Sequence, residues 1–224
     1  MATKNTIEFD FPLRERSKGR AIVRDKEAAL NAILTAAETV FARYGLQGAR
    51  VEAIANHAGV TKGLIFHYFE SKEHLFEVVL QRASEPMRAI LNELDSSDEA
   101  PPILLRKIVE RFLQTIAARP LAHLMFTLES IQNNGEHFQK LKMPSLSEAV
   151  ERVLAKGIKQ GCFCELDTKH AAINIVGLCM YYFVAASINP DPEFQNSPFE
   201  NEKLERHANE VMRFVEASTK PVQQ

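Results

Sequence analysis

The sequence predicts an all-α protein, a unit of three short helices followed by a longer helical body. Three observations carry this. Apolar residues recur at helical spacing through almost the whole 224-residue chain. Strand-like alternation between turn residues is hard to find. Helix-capping residues stand at the ends of the apolar stripes. The first helix is expected from Lys26 to Tyr44, with Leu30, Ile33, Ala37, Val40, Phe41 and Tyr44 on one face and Gly45 as its stop. Short helices follow at Glu52–Ala58 and from Thr61 to about Phe69, joined through Gly59. Ser71 caps a long helix in which Pro86 is expected to introduce a bend.

Further on, Ile103–Ala118 is amphipathic through Leu105, Ile108, Val109, Phe112 and Ile116. Pro120 opens a helix carrying Leu121, Leu124, Met125, Leu128 and Ile131. Asn133–Pro144 reads as a loop. Ser145 and Glu148 form a capping box for a helix to Lys159. Gly161–Asp167 is a connector, and Thr168–Ile188 is a helix apolar on most sides. Ser197 and Glu200 form a second capping-box pattern, opening a last helix to Ala217.

Composition excludes several classes. With 46% hydrophobic and 25% charged residues, the chain is an ordinary globular one of one or two domains. No run approaches the ~20 apolar residues of a membrane helix, so no membrane partner is expected. Met1–Asp10 lacks the apolar core of a secretory leader, which points to the cytoplasm. Three cysteines argue against a disulfide framework. The net charge of −2 hides an asymmetry: Leu13–Lys26 holds six Lys/Arg against Glu15 and Asp25. Residues 1–25 therefore read as a basic flexible arm, with Arg14, Arg16, Lys18, Arg20 and Arg24 as candidates to follow a DNA minor groove.

The pair of short helices around Ala58-Gly59-Val60-Thr61 has helix-turn-helix spacing, in which the second helix can enter a DNA major groove. The same spacing also suits a plain three-helix packing unit. Lys62 starts the second helix and can donate to a guanine edge or a phosphate. Gly63 permits close backbone approach. Thr61 caps the helix and can reach a phosphate. His67 can face the groove, and Tyr68 can reach a phosphate or pack. Ile54, Ile65 and Phe69 are assigned to the core.

Residues 26–80 resemble the DNA-binding domain of the TetR family of bacterial transcriptional regulators. The resemblance rests on Ile54-Ala55, Ala58-Gly59-Val60-Thr61-Lys62-Gly63, Phe66-His67-Tyr68-Phe69, Ser71-Lys72-Glu73 and Phe41-Ala42-Arg43-Tyr44-Gly45. The later part looks most like the regulators related to the pyrimidine-responsive RutR. The resemblance implies a DNA-binding domain over 26–72, a regulatory and dimerisation domain over 73–224, and Lys72 as a phosphate ligand. It also implies a homodimer on a palindromic double-stranded operator, a repressor released by a small-molecule effector. Three positions depart from the family pattern. Arg50 replaces a capping Ser or Thr and adds a cation that can seek phosphate. Leu64 replaces a hydroxyl residue and offers only apolar contact, for instance to a thymine methyl. Phe66 replaces a tyrosine and lacks its hydroxyl.

The effector site is expected among polar groups on apolar helices: His123, Phe126 and Glu129 on one, Asn174 and Tyr181 on another. Cys162 and Cys164 offer an alternative, a thiol- or metal-sensing regulator, although no histidine stands at a clean ligand spacing. Cys179 reads as a small core residue. No phosphate loop, nucleophile elbow or paired-carboxylate cleft is found. Neither an enzyme nor a bound cofactor or metal is therefore expected; an enzyme or carrier retaining a helix-turn-helix is the remaining alternative.

Overall fold

A computed structural model describes residues 26–142, 145–188 and 200–220. The basic arm and the expected loop at 189–198 lie outside the described residues. Helix α1 (Lys26–Gly48) buries Ile33, Ala37, Val40 and Phe41, as the spacing predicts. It does not simply stop at Tyr44. Gly45 takes φ 66°, ψ 179°, and the helix then resumes for a last turn. That excursion turns Tyr44 outward, half exposed under the Arg43 guanidinium, and puts Leu46 into the core instead. Gly45 lies in a backbone region that is essentially glycine-only. Gly45→Ala is therefore expected to cost about 1–3 kcal/mol. Its Cβ would also fall on the side-chain end of Gln132, which can move aside. Denaturant unfolding checks this; an unchanged midpoint would show that the turn tolerates a side chain.

Helix α2 (Val51–Ala58) starts after Arg50, which provides no side-chain cap. It ends in a Schellman pair, with Gly59 at φ 68°, Gly59 N–H on Asn56 O and Val60 N–H on Ala55 O. Helix α3 (Lys62–Tyr68) is capped by Thr61, whose Oγ1 accepts from Leu64 N at 3.2 Å. Helix α4 (Lys72–Asp95) is capped by Ser71, which accepts from His74 N at 3.0 Å. Helix α4 continues through Pro86. Proline has no N–H for the carbonyl four residues back, that of Arg82. Arg119 takes that place, its Nη1 donating to Arg82 O at 3.2 Å.

Helix α5 (Pro101–Ala118) buries Leu105, Ile108, Val109 and Ile116 as expected. Helix α6 (Pro120–Gln132) departs from its predicted stripe: Ala122, Met125 and Glu129 are buried, while Ile131 is 73% exposed. The stretch read as a loop contains a short helix, α7 (Glu136–Lys140), too short to have a period. The buried Glu129 carboxylate holds this corner. It accepts from His137 N at 2.8 Å and from Asn133 Nδ2 at 2.6 Å. Helix α8 (Leu146–Lys159) carries the full Ser145–Glu148 capping box. Helix α9 (Thr168–Ile188) and helix α10 (Asn201–Thr219) complete the chain. The cap of α10 is Glu200, without a side-chain bond; Ser197, expected to cap it, lies outside the described residues.

Two apolar clusters organise these helices. The first joins α1, α2 and α3 to the first half of α4, with Phe41 and Phe76 edge to face at 4.8 Å, and includes Ala122 and Met125 of α6. The second joins α5, α8, α9 and α10. Packing thus does not divide at residue 72. Leu75, Phe76, Val79 and Leu80 belong to the first core, and α6 is wedged against α1.

Candidate functional site

One surface is built by α2, α3 and their flanks. Ile65 and Phe69 anchor α3 in the core, which leaves Lys62, Gly63, Phe66 and His67 on its outer side, all exposed. Thr61 and Arg50 are exposed beside them, and Leu64 and Tyr68 are half-buried at the edge. Ile54, Ile65 and Phe69 are core residues, as read from the sequence. Two side chains have partners that spacing did not suggest. Lys62 Nζ donates to Glu52 Oε1 at 2.5 Å and lies 5.7 Å over the Phe66 ring. The hydrogen bond from Lys62 holds the Glu52 carboxyl below the usual carboxylate range. Lys72 is half-buried, and its Nζ donates to Ala49 O at 3.2 Å, next to Arg50. The first turn of α4 is thereby tied to the α1–α2 junction, and the Lys72 charge stands at the positive end of α4.

A second feature is a cavity of about 170 Å³ between the two clusters. Its wall is mostly apolar, with Met87 of α4, Phe112 of α5, Phe126 of α6 and Met180 of α9. His123 and Phe126, expected at an effector site, both line it. Burial pushes the His123 imidazole below its usual range, which favours the neutral form. The other three expected residues are not there. Glu129 is consumed by Asn133 and His137. Asn174 and Tyr181 point outward on α9, Tyr181 being 63% exposed. The helix buries Ala172, Ile175, Cys179 and Phe183 instead, a different side from the one their positions share.

Sequence reasoning missed Arg119. It lies at the α5–α6 corner, lines the cavity, and sends Nη2 to both carboxylate oxygens of Glu38 on α1, at 2.9 and 2.8 Å. The only local signal was Pro86, whose freed carbonyl needs a donor. Cys162 and Cys164 are half-exposed on the connector, and the Cys164 thiol lies 3.6 Å from Ser218 O. Among the described residues no cluster of three or more His, Cys, Asp or Glu is placed to hold a metal. Cys179 is buried, its thiol pushed up to about 12 by desolvation.

Comparison with known proteins decides the family. Residues 33–79 match the model for bacterial regulatory proteins of the TetR family, and residues 101–215 match that of the tetracyclin repressor-like C-terminal domain. The chain belongs to the TetR family of transcriptional regulators. It is 29% identical over 167 residues to the HTH-type transcriptional regulator RutR of Escherichia coli O157:H7, covering 74% of this chain and 76% of that protein. It is 30% identical over 161 residues to the HTH-type transcriptional repressor NicS of Pseudomonas putida, covering 67% and 73%. The solved structure of the transcriptional regulator FadR from Bacillus subtilis, in complex with stearoyl-CoA, shares the fold. Its TM-score is 0.62 at 22% identity, over 83% of this chain and 97% of that one. PfmR from Thermus thermophilus, another TetR-family regulator, has a TM-score of 0.60 at 20% identity, over 81% and 97%. Within this TetR-family fold, α3 is the second helix of the helix-turn-helix, and the cavity lies where α4, α5, α6 and α9 meet.

Proposed function

We propose that this TetR-family regulator is a cytoplasmic repressor that binds a palindromic operator as a homodimer and is released by a small molecule in the α4–α6 cavity. The observation that carries the DNA half is the outer side of α3. Lys62, Phe66 and His67 stand out together while Ile65 and Phe69 lock the helix from behind. In this reading Lys62 meets a base edge, Leu64 offers a methyl contact, and Arg50, Thr61, Tyr68 and Lys72 position the phosphates. Gly63 lets the backbone approach. Selection of bound fragments from genomic DNA tests this reading. A shared palindrome with salt-dependent affinity is expected, and recovery of no enriched site would refute it.

The homodimer is supported by what α9 and α10 leave outside. Ile173, Leu178, Tyr181 and Val184 of α9 and Phe214 of α10 are large apolar side chains exposed in the single chain. The same face accounts for another property of α9. The expectation that no run matches a membrane helix does not hold by length and composition: Thr168–Ala186 is long and apolar enough, because its apolar residues surround the helix, and only 28% of that stretch is buried. Two helices from each protomer, packed as a four-helix interface, cover this face. The two recognition helices then read two half-sites related by the same two-fold axis.

Two further substitutions test the DNA surface. Lys72→Ala is expected to weaken binding to all sequences alike and to lower the salt slope by about one per half-site. It also removes the tie to Ala49 O, so about 1–2 kcal/mol of stability should go with it. Titrations at several salt concentrations, beside thermal melts, separate the two effects. An unchanged slope would remove Lys72 from the phosphate set. Glu52→Gln releases Lys62 and deletes a negative charge facing DNA, so affinity at low salt should rise several-fold. A fall in affinity would mean that Glu52 itself contacts a base.

A further inference from the structure

We infer that the cavity takes a small carboxylate with a compact apolar body, and that this anion takes Arg119 from Glu38. The inference rests on the reading of the cavity as the effector site, and names the class of effector and the contact it changes.

The charge of the wall selects the sign of the ligand. Among the described residues that line the cavity, Arg119 alone carries a fixed positive charge and none carries a negative one. The wall hydroxyls are already engaged: Ser84, Thr115 and Ser130 donate to carbonyls of their own helices. The donors a ligand can recruit are the Arg119 guanidinium, by competing with Glu38 for it, and the ring N–H of His123, which stands one helical turn on at the same wall. A carboxylate supplies two acceptor oxygens for these two donors. The volume selects the body. An apolar cavity of about 150 Å³ holds one benzene molecule, so about 170 Å³ holds one ring or a branched short chain.

The consequence lies in what Arg119 already holds. Its Nη2 spans both oxygens of Glu38, and its Nη1 satisfies the carbonyl that Pro86 leaves without a partner. One guanidinium therefore fastens α1, α4 and the α5–α6 corner together. Glu38 is nearly buried, with 13% of its side chain exposed. A second carboxylate arriving at the same cation repels Glu38 where water screens the two poorly. Glu38 then lets go and α1 loses its polar link to the cavity wall, while Ala122 and Met125 keep it packed on α6. The helix that carries the DNA-binding unit is thus freed to shift without unfolding. Because binding linkage is reciprocal, the factor by which the anion weakens DNA binding equals that by which DNA weakens the anion.

Benzoate is the probe, with benzamide as its neutral isostere, both titrated calorimetrically into the full chain without DNA. Benzoate is expected to bind at least tenfold more tightly than benzamide. Arg119→Met should abolish that preference. Glu38→Gln, which removes the competitor and keeps the shape, should tighten benzoate about tenfold and leave benzamide unchanged. Equal affinities for the two probes, no benzoate binding, or a Glu38→Gln variant whose benzoate affinity is unchanged or weaker would overturn the inference. Since Glu38→Gln alone decides the exchange, the inference stays testable if Arg119→Met fails to fold. These readings are separate from DNA binding. A protein that shows the benzoate effects but selects no DNA site loses the regulator reading and keeps the anion site; one that binds its operator but does not discriminate the probes loses only the anion site.

Discussion

Val184→Glu is expected to give a folded monomer that no longer binds a palindrome. Val184 is 49% exposed in the single chain, so a glutamate there faces water and leaves the protomer core intact. In the proposed dimer the same position lies beside Tyr181, one turn back on its own helix, under the partner's apolar face. Burying an unpaired carboxylate there costs several kcal/mol, and the two-fold axis applies the cost twice. The dimer should weaken by at least about a thousandfold, since every 1.4 kcal/mol is a factor of ten. A monomer reads one half-site and loses most of its operator affinity. Sedimentation with circular dichroism gives the answer. Wild-type helicity at monomer mass is the expected result, whereas a dimer with full DNA affinity would move the interface off α9.

Lys62→Ala is the second large effect. A good contact to a base edge is worth about 1–3 kcal/mol of discrimination, and a two-fold operator contains it twice. The expected loss on the operator is therefore about 2–6 kcal/mol, with a much smaller loss on random DNA. Part of this comes from Glu52, which loses the ammonium at 2.5 Å and leaves its charge facing the DNA. The double variant with Glu52→Gln separates the two parts, because the residues are in contact and their effects should not add. If Lys62→Ala weakens operator and random DNA by the same factor, Lys62 is a phosphate ligand and base readout lies elsewhere on α3.

The helix-turn-helix that carries the proposed DNA surface was legible because each of its structural pieces is local. Thr61 and Ser71 cap the helices that follow them, and Gly59 supplies the left-handed residue that ends α2. Such signals act over three or four residues, so sequence alone contains them. Side-chain ties across longer separations were not legible. Lys62 to Glu52 spans ten residues, and Lys72 to Ala49 spans twenty-three.

The cavity proposed as the effector site shows the same division more sharply. His123 and Phe126 line it, but the criterion that chose them, a polar or aromatic group on an apolar helix, also selected Glu129, Asn174 and Tyr181, which serve a buried corner and an outer face. Amphipathicity marks which residues differ from their neighbours; it cannot say which of two packed partners a face meets. Helix α9 is the extreme case, apolar nearly all round, so its period carries almost no directional information.

The sequence by itself determined the all-helical class, the capped starts of α3, α4 and α8 and the helix-turn-helix, because propensity, capping and 3.6-residue periodicity are properties of short segments. Only the tertiary structure decided that α6 packs on α1, that a cavity opens between two cores, and that Arg119 joins Glu38 to the carbonyl freed by Pro86. Those contacts join residues 37 to 81 positions apart. At such separations the choice of partner is made by how whole helices fit together, and no local pattern records it.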